Sequence, residues 1–198
     1  MIQIHTCTGA AVAPHLAAVA ALRIAVFRDW PYLYQGSADY ERDYLETYAR
    51  APSSVFVLVF DGTRVVGAST GIALVDETVS IREPVAAAGL PVAQMFYCGE
   101  SVLLPTYRGR GLGHRFFDER EAHARRLGRF SHSLFCSVER EADDPRRPAG
   151  YRGNEAFWRK RGYAPLPGVR CTLDWPEVGA GASIAHSLQF WSLPLEAT

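Results

Sequence analysis

Apolar residues come in blocks whose spacing names the elements. Ile2 to Thr6 reads as a short first strand, and Pro14 suits a first helical position. Leu16, Ala20, Ile24 and Phe27 then recur at helical spacing and predict an amphipathic helix. A loop follows at Asp29 to Gly36, and a second helix over about Ser37 to Ala49 sets Tyr40, Tyr44 and Tyr48 on one face, where they cover the core. Two β-branched, apolar runs, Ser54 to Phe60 and Arg64 to Leu74, flank Asp61-Gly62 and predict a hairpin. Asp76 to Pro91 reads as an insertion over one edge of the sheet, with a short helix at Ile81 to Ala88 stopped by Gly89-Leu90-Pro91.

A long strand is expected from Val92 to Leu104, and after a glycine-rich turn comes a helix closed by Gly128. That helix turns Leu112, Phe116, Phe117, Ala124 and Leu127 inward, and Asp118, Glu119, Glu121, Arg125 and Arg126 toward water. Leu134 to Val138 reads as a strand and Glu139 to Gly150 as a polar loop. Asn154 can cap a short helix, Glu155 to Arg161, closed by Gly162. Strands at Arg170 to Trp175 and Ser187 to Leu193 complete the pattern.

Composition narrows this little. The 198 residues fit one domain with its own core, and 21 basic against 21 acidic residues give no net charge to recruit nucleic acid or an anionic membrane. Cys7, Cys98, Cys136 and Cys171 form no C-x-x-C pair and follow no leader, which points to free thiols in the cytoplasm. No histidine or cysteine pattern suggests a metal site. His15 and Arg23 interrupt the apolar run Ala10 to Val26, so neither signal peptide nor membrane span is expected.

The candidate chemistry lies in Pro105-Thr106-Tyr107-Arg108-Gly109-Arg110-Gly111-Leu112-Gly113-His114. A glycine-rich turn that opens a helix leaves amides unpaired, and the helix dipole adds partial positive charge, so a phosphate is the natural guest. Arg108 and Arg110 add charge at its rim. A dinucleotide fingerprint needs glycine at His114, and a P-loop needs a Gly-Lys-Ser/Thr ending that is absent. What stands here, R-x-x-G-x-G, resembles the signature of the GNAT superfamily of acyl-CoA-dependent N-acyltransferases. Phe157-Trp158-Arg159-Lys160-Arg161-Gly162-Tyr163 resembles the second family motif, in the expected order, and the resemblance spans roughly Leu16 to Tyr163.

The resemblance implies an α/β (α+β) fold with a mixed, mostly antiparallel sheet flanked by helices on both faces. It implies acetyl-CoA or another acyl-CoA as co-substrate and a small-molecule or peptide amine as acceptor, in a monomer or homodimer. The amides of Arg108, Gly109, Arg110, Gly111, Leu112, Gly113 and His114 would hold the pyrophosphate. Backbone groups of Ser101, Val102 and Leu103 would hold the pantetheine arm and the acyl carbonyl. Glu100, after Gly99 and among apolar neighbours, is the candidate general base, with Glu139 the competitor. The tyrosine that many members use to protonate the thiolate is replaced by Trp158, which would pack on the pantetheine; Tyr151, Tyr107 or water then supplies the proton. Trp30 and Tyr34 either wall the acceptor pocket or cover the core. Cys136 has no histidine tied to it and reads as a buried strand cysteine. A non-catalytic acyl-CoA sensor on the same fold is the alternative.

Overall fold

The run Val55–Asp61 is apolar at almost every position because it lies in a sheet covered on both sides. The computed structural model describes residues 1–195. Its strands are β1 (Ile2–Cys7), β2 (Val55–Asp61), β3 (Arg64–Ala73), β4 (Met95–Tyr97), β5 (Ser101–Leu103), β6 (His132–Val138), β7 (Ala164–Pro176) and β8 (Ser183–Pro194). The order across the sheet is β1-β2-β3-β4-β6-β8-β7, with β5 also paired to β3. Among the described residues β4 and β6 form the one parallel pair, and the other neighbours are antiparallel.

Alternation along β2 sorts the core into two layers. Phe56, Leu58 and Phe60 face helices α1 (Leu16–Phe27), α2 (Ala38–Arg50) and α3 (Val79–Ala87). Val55, Val57 and Val59 face α4 (Leu112–Leu127), with the short α5 (Glu155–Lys160) packed beside it. Each fully buried side chain of this size contributes about 1.5–3 kcal/mol. The expected mixed, mostly antiparallel sheet between helices is therefore what the chain forms.

The hairpin is as expected, with Asp61 opposite Arg64. The predicted insertion forms α3, which packs against β7 and buries Ile81 and Val85. Four expectations are corrected. Pro14 lies inside a 3-10 stretch, Gly9–His15, and the α-helix begins only at Leu16. β7 begins directly after Tyr163, earlier than predicted; its register breaks between Pro165 and Arg170, where two prolines lack ladder donors. The Gln189 amide fills the break by donating to the Leu166 and Val169 carbonyls. The three tyrosines of α2 do not share one environment, because steps of four advance more than a full turn. Tyr48 is fully buried, Tyr44 half-buried and Tyr40 exposed against Tyr34. On α4, Leu127 is exposed while Glu121, assigned to water, is buried beneath Tyr163 and Arg161, both of which donate to its Oε1.

Candidate active site

The predicted strand Val92 to Leu104 is broken in the middle, and the break builds the site. After a 3-10 turn at Val92–Gln94, β4 runs between β3 and β6, and its last bond to β6 is from the Cys98 amide to the Leu134 carbonyl at 2.8 Å. The chain bends at Cys98-Gly99-Glu100, and β5 resumes against β3 alone. β5 and β6 thus diverge like the arms of a V. Thr70 donates to the Glu100 carbonyl and Leu104 donates to the Val66 carbonyl, so alternation commits Val102 to β3 as well. Ser101 and Leu103 are left to turn their backbone groups to the open arm. That corrects the expectation for Val102: its polar groups are used and its side chain is fully buried. Gly99 is required at the bend, since a Cβ there would strike the Tyr48 hydroxyl and stand 2.8 Å from Thr70 Oγ1.

Between the arms lies a cleft of about 620 Å³. Its walls bring together Glu100, Ser101, Leu103, Arg108, Gly113, Tyr151, Trp158 and Trp30 from the predicted set. The glycine turn stands at its edge. Gly109 and Gly111 take φ of +75° and +77°, and an added Cβ on either meets nothing within 4 Å. Among the described residues the amides of Gly109, Arg110 and Gly111 donate to no backbone carbonyl. The turn is therefore an open cradle of donors at the start of α4. His114 is corrected: its amide donates to the Gly111 carbonyl at 3.0 Å, and its ring faces Phe157 and Arg161. The arginines divide as well. Arg108 lines the cleft, where its Nε donates to the Leu103 carbonyl at 3.1 Å, whereas Arg110 folds back on Thr106 and Tyr107.

Glu100 is buried at the bend, and Arg23 of α1 meets it, with Nη1 2.5 Å from Oε2. The same guanidinium pairs with buried Glu41 of α2. Burial disfavours the Arg23 charge, but Glu100, Tyr44 and Glu41 outweigh it and hold the group protonated. Glu100 is thus not the isolated carboxylate that the sequence suggested. One oxygen is anchored to Arg23, and Oε1 has no partner among the described residues. Glu139, the competitor, is excluded from the cleft walls, where it would have to act; Arg170 and Ser187 hold it at the far side of β6. From α4 comes Arg120, 1% exposed, whose Nη1 donates to the carbonyls of Glu100 at 2.9 Å and Thr70 at 3.3 Å.

The far end of the cleft is aromatic. Phe27, Trp30 and Tyr32 line it, and Tyr151 meets Trp30 edge to face at 6.1 Å. Burial pushes the Tyr151 phenol up, so it carries a proton at neutral pH. Tyr34 is corrected: it is buried, bridges to Glu177 and lies outside the cleft walls. Trp158 packs against Phe135 and Trp191 at 4.9 and 5.2 Å while lining the cleft. Tyr107 is committed to Asp61. The Cys171 thiol and burial together push the Cys136 thiol well up, which removes it as a nucleophile.

Arg140 ties the aromatic loop in place, donating to the Pro31 and Tyr32 carbonyls and pairing with Glu177, which also takes Arg146 and His186. Burial pushes the Glu177 carboxyl up, but Arg146, His186 and Arg140 outweigh it and hold it at about 2. A carboxyl lowered in the folded state stabilises fully above its ordinary value of 4.5 and loses that contribution as the pH falls through about 2. Glu177→Gln should therefore lower Tm at neutral pH, and the difference from wild type should shrink across that window. A difference independent of pH in thermal melts would refute this account.

The residues that the sequence reading missed are charges on apolar stripes. Arg23 follows Val19 and precedes Phe27 at helical spacing, and Arg120 stands between Phe116 and Ala124 in the same way. The signal is present in the sequence, where Arg23 reads as an interruption of the apolar run and Arg120 carries no assignment. Arg161 of the second motif is held against α4 by Asp118 and Glu121.

Comparisons agree with this geometry. The model of the acetyltransferase (GNAT) family matches residues 20–163. No curated protein matches the sequence. Among solved structures, the chain is similar to a ribosomal-protein-alanine N-acetyltransferase from Brucella melitensis, with a TM-score of 0.61, 15% identity, and coverage of 98% of this chain and 99% of that one. An N-acetyltransferase from Staphylococcus aureus gives 0.60 and 12%, with 99% of both chains covered. A phosphinothricin acetyltransferase from Sinorhizobium meliloti in complex with acetyl-CoA gives 0.60 and 13%, covering 98% of this chain and 88% of that one. At these identities the structures show a shared fold, while the family match runs through both motifs and the bend between them. The chain belongs to the GNAT family of acetyltransferases.

Proposed function

We propose that the chain transfers an acetyl group from acetyl-CoA to an amine by direct attack within a ternary complex in the cleft between β5 and β6. The observation that carries this reading is the convergence, on one cleft, of a donor cradle, an unpaired strand edge and a buried carboxylate. The open amides of Gly109 to Gly111 and the Arg108 charge fit a pyrophosphate. The free edge at Ser101 and the Leu103 amide fits the amides of a pantetheine arm and a donor to the carbonyl oxygen, where positioned backbone groups act most strongly, while Arg108 takes the Leu103 carbonyl. Acetyl-CoA supplies the activated acyl group. Glu100 takes the proton that the amine releases on attack, and Tyr151 gives one to the departing thiolate. Trp30, Phe27 and Tyr32 shape the acceptor end for a small-molecule or peptide amine. Four free thiols fit a reducing, cytoplasmic setting.

Calorimetry with acetyl-CoA tests the donor half. Arg108→Glu should weaken binding roughly 10- to 100-fold, the worth of one charge-assisted contact turned repulsive. Absence of heat, or equal affinity in the variant, would sink the reading. Thiol release across small amines, polyamines, aminoglycosides and peptide N-termini tests the acceptor half.

A further inference from the structure

Behind Glu100 a line of polar groups crosses the α1–α2 layer of the core. Tyr44 Oη lies 3.4 Å from Glu100 Oε2 and 3.0 Å from Tyr48 Oη, and the Tyr48 hydroxyl donates to Glu77 Oε1. Tyr48 is fully buried and Glu77 is 3% exposed. Glu77 ends the line just below the surface: its neighbours Asp76 and Thr78 are exposed, and Asp76 borders a separate surface hollow with Asp43 and Glu46.

Packing alone does not call for this line. Of three buried carboxylates, Glu41 and Glu100 share Arg23, while Glu77 has no basic partner among the described residues, and an unpaired buried carboxylate is costly. Phenylalanine at both tyrosines and leucine at Glu77 would fill the same space without that cost. The acetyl-transfer cycle, however, must clear a proton from Glu100 at every turnover, and Glu100 is only 6% exposed.

Building on the acetyl-transfer reading above, we propose that Tyr44, Tyr48 and Glu77 form a proton relay that carries the amine's proton from Glu100 to the surface on the far side of α2. As the N–C bond forms, the amine N–H proton passes to Glu100. Glu100 then protonates Tyr44 Oη while the Tyr44 hydroxyl proton moves to Tyr48 Oη and the Tyr48 proton moves to Glu77. Each tyrosine ends with one proton, as it began, and Glu77 releases the extra one to water. Burial holds both phenols well above their ordinary range, so each carries a proton to pass on. Burial also pushes the Glu77 carboxyl up, which suits a terminal acceptor.

The test is a solvent isotope study of thiol release in H2O–D2O mixtures. Wild type should give a curved proton inventory, as several protons move together. Tyr48→Phe and Glu77→Gln should lower kcat roughly 10-fold, a part of the general-base effect, and straighten the inventory while leaving KM for acetyl-CoA unchanged. Retained kcat and curvature in both variants would overturn the relay, as would lost stability with an unchanged inventory. A wild type that binds acetyl-CoA but turns over no amine refutes the transfer reading alone. The relay is then judged by proton NMR of the acetyl-CoA complex. The hydroxyl resonance between Tyr48 and Glu77 must shift in Glu100→Gln if the groups form one chain, and a resonance that stays in place overturns it.

Discussion

Glu100→Gln should lower kcat by about 10²- to 10⁴-fold, the usual range for a lost general base, while acetyl-CoA affinity changes less than about twofold. Glutamine keeps the shape of the side chain and an oxygen for Arg23 and Tyr44, so the bend should survive. It cannot take a proton from an attacking amine. Arg23 retains Glu41, so its charge is not stranded and the stability cost should stay near 1–2 kcal/mol, that of one weakened buried hydrogen bond. Glu139→Gln is the control. Its ion pair with Arg170 is partly exposed and outside the cleft walls, and such pairs contribute little, so its kcat should match wild type within about twofold. Steady-state kinetics with any amine that turns over decides. Equal kcat in Glu100→Gln and wild type removes Glu100 from the chemistry, and a large loss in Glu139→Gln moves the base to β6.

How much of this was legible in the sequence depends on whether the feature is periodic. The apolar run in β2, the hairpin at Asp61-Gly62 and the inward positions Leu112, Phe116, Phe117 and Ala124 of α4 follow local pattern, and each falls where that pattern puts it. The glycine turn was legible because positive φ at Gly109 and Gly111 needs glycine, and two such positions before a helix have few other uses. Trp30 and Tyr34 were not separable, since both sit on one loop, and the burial of Tyr34 away from the cleft walls shows which one turns away. Val102 was misassigned because the strand's outer edge depends on which residues pair with β3, and a sequence does not carry that register. The ion pair at Glu100 was hidden for a further reason. Its partner Arg23 lies on another helix, and a long side chain can place its charge far from the stripe to which its Cα belongs.

Arg120→Met should separate stability from activity. Arg120 is 1% exposed and has no carboxylate partner among the described residues; three carbonyls take its donors and Nη2 has no partner. Hydrogen bonds from a charged donor contribute about 1.5–3 kcal/mol each. Burying an unpaired charge costs several kcal/mol, so the two nearly cancel. Methionine keeps the stem over Phe117 and removes both terms, so stability should change by less than about 2 kcal/mol. On a chain of this size that is a shift in Tm of no more than about 8 °C. The bend at Cys98-Gly99-Glu100 should suffer far more. Without the guanidinium the Glu100 and Thr70 carbonyls keep only the Thr70 and Gly99 amides, each at 3.2 Å, and the bend loses the clamp that ties it to α4. A displacement near 1 Å at reacting groups costs about 10²-fold, and kcat/KM should fall by that order. Thermal melts and steady-state kinetics on one preparation measure both quantities. A collapse in Tm with activity falling in proportion would make Arg120 a packing residue, whereas a stable protein with an idle cleft would show that its buried charge is kept to hold the bend.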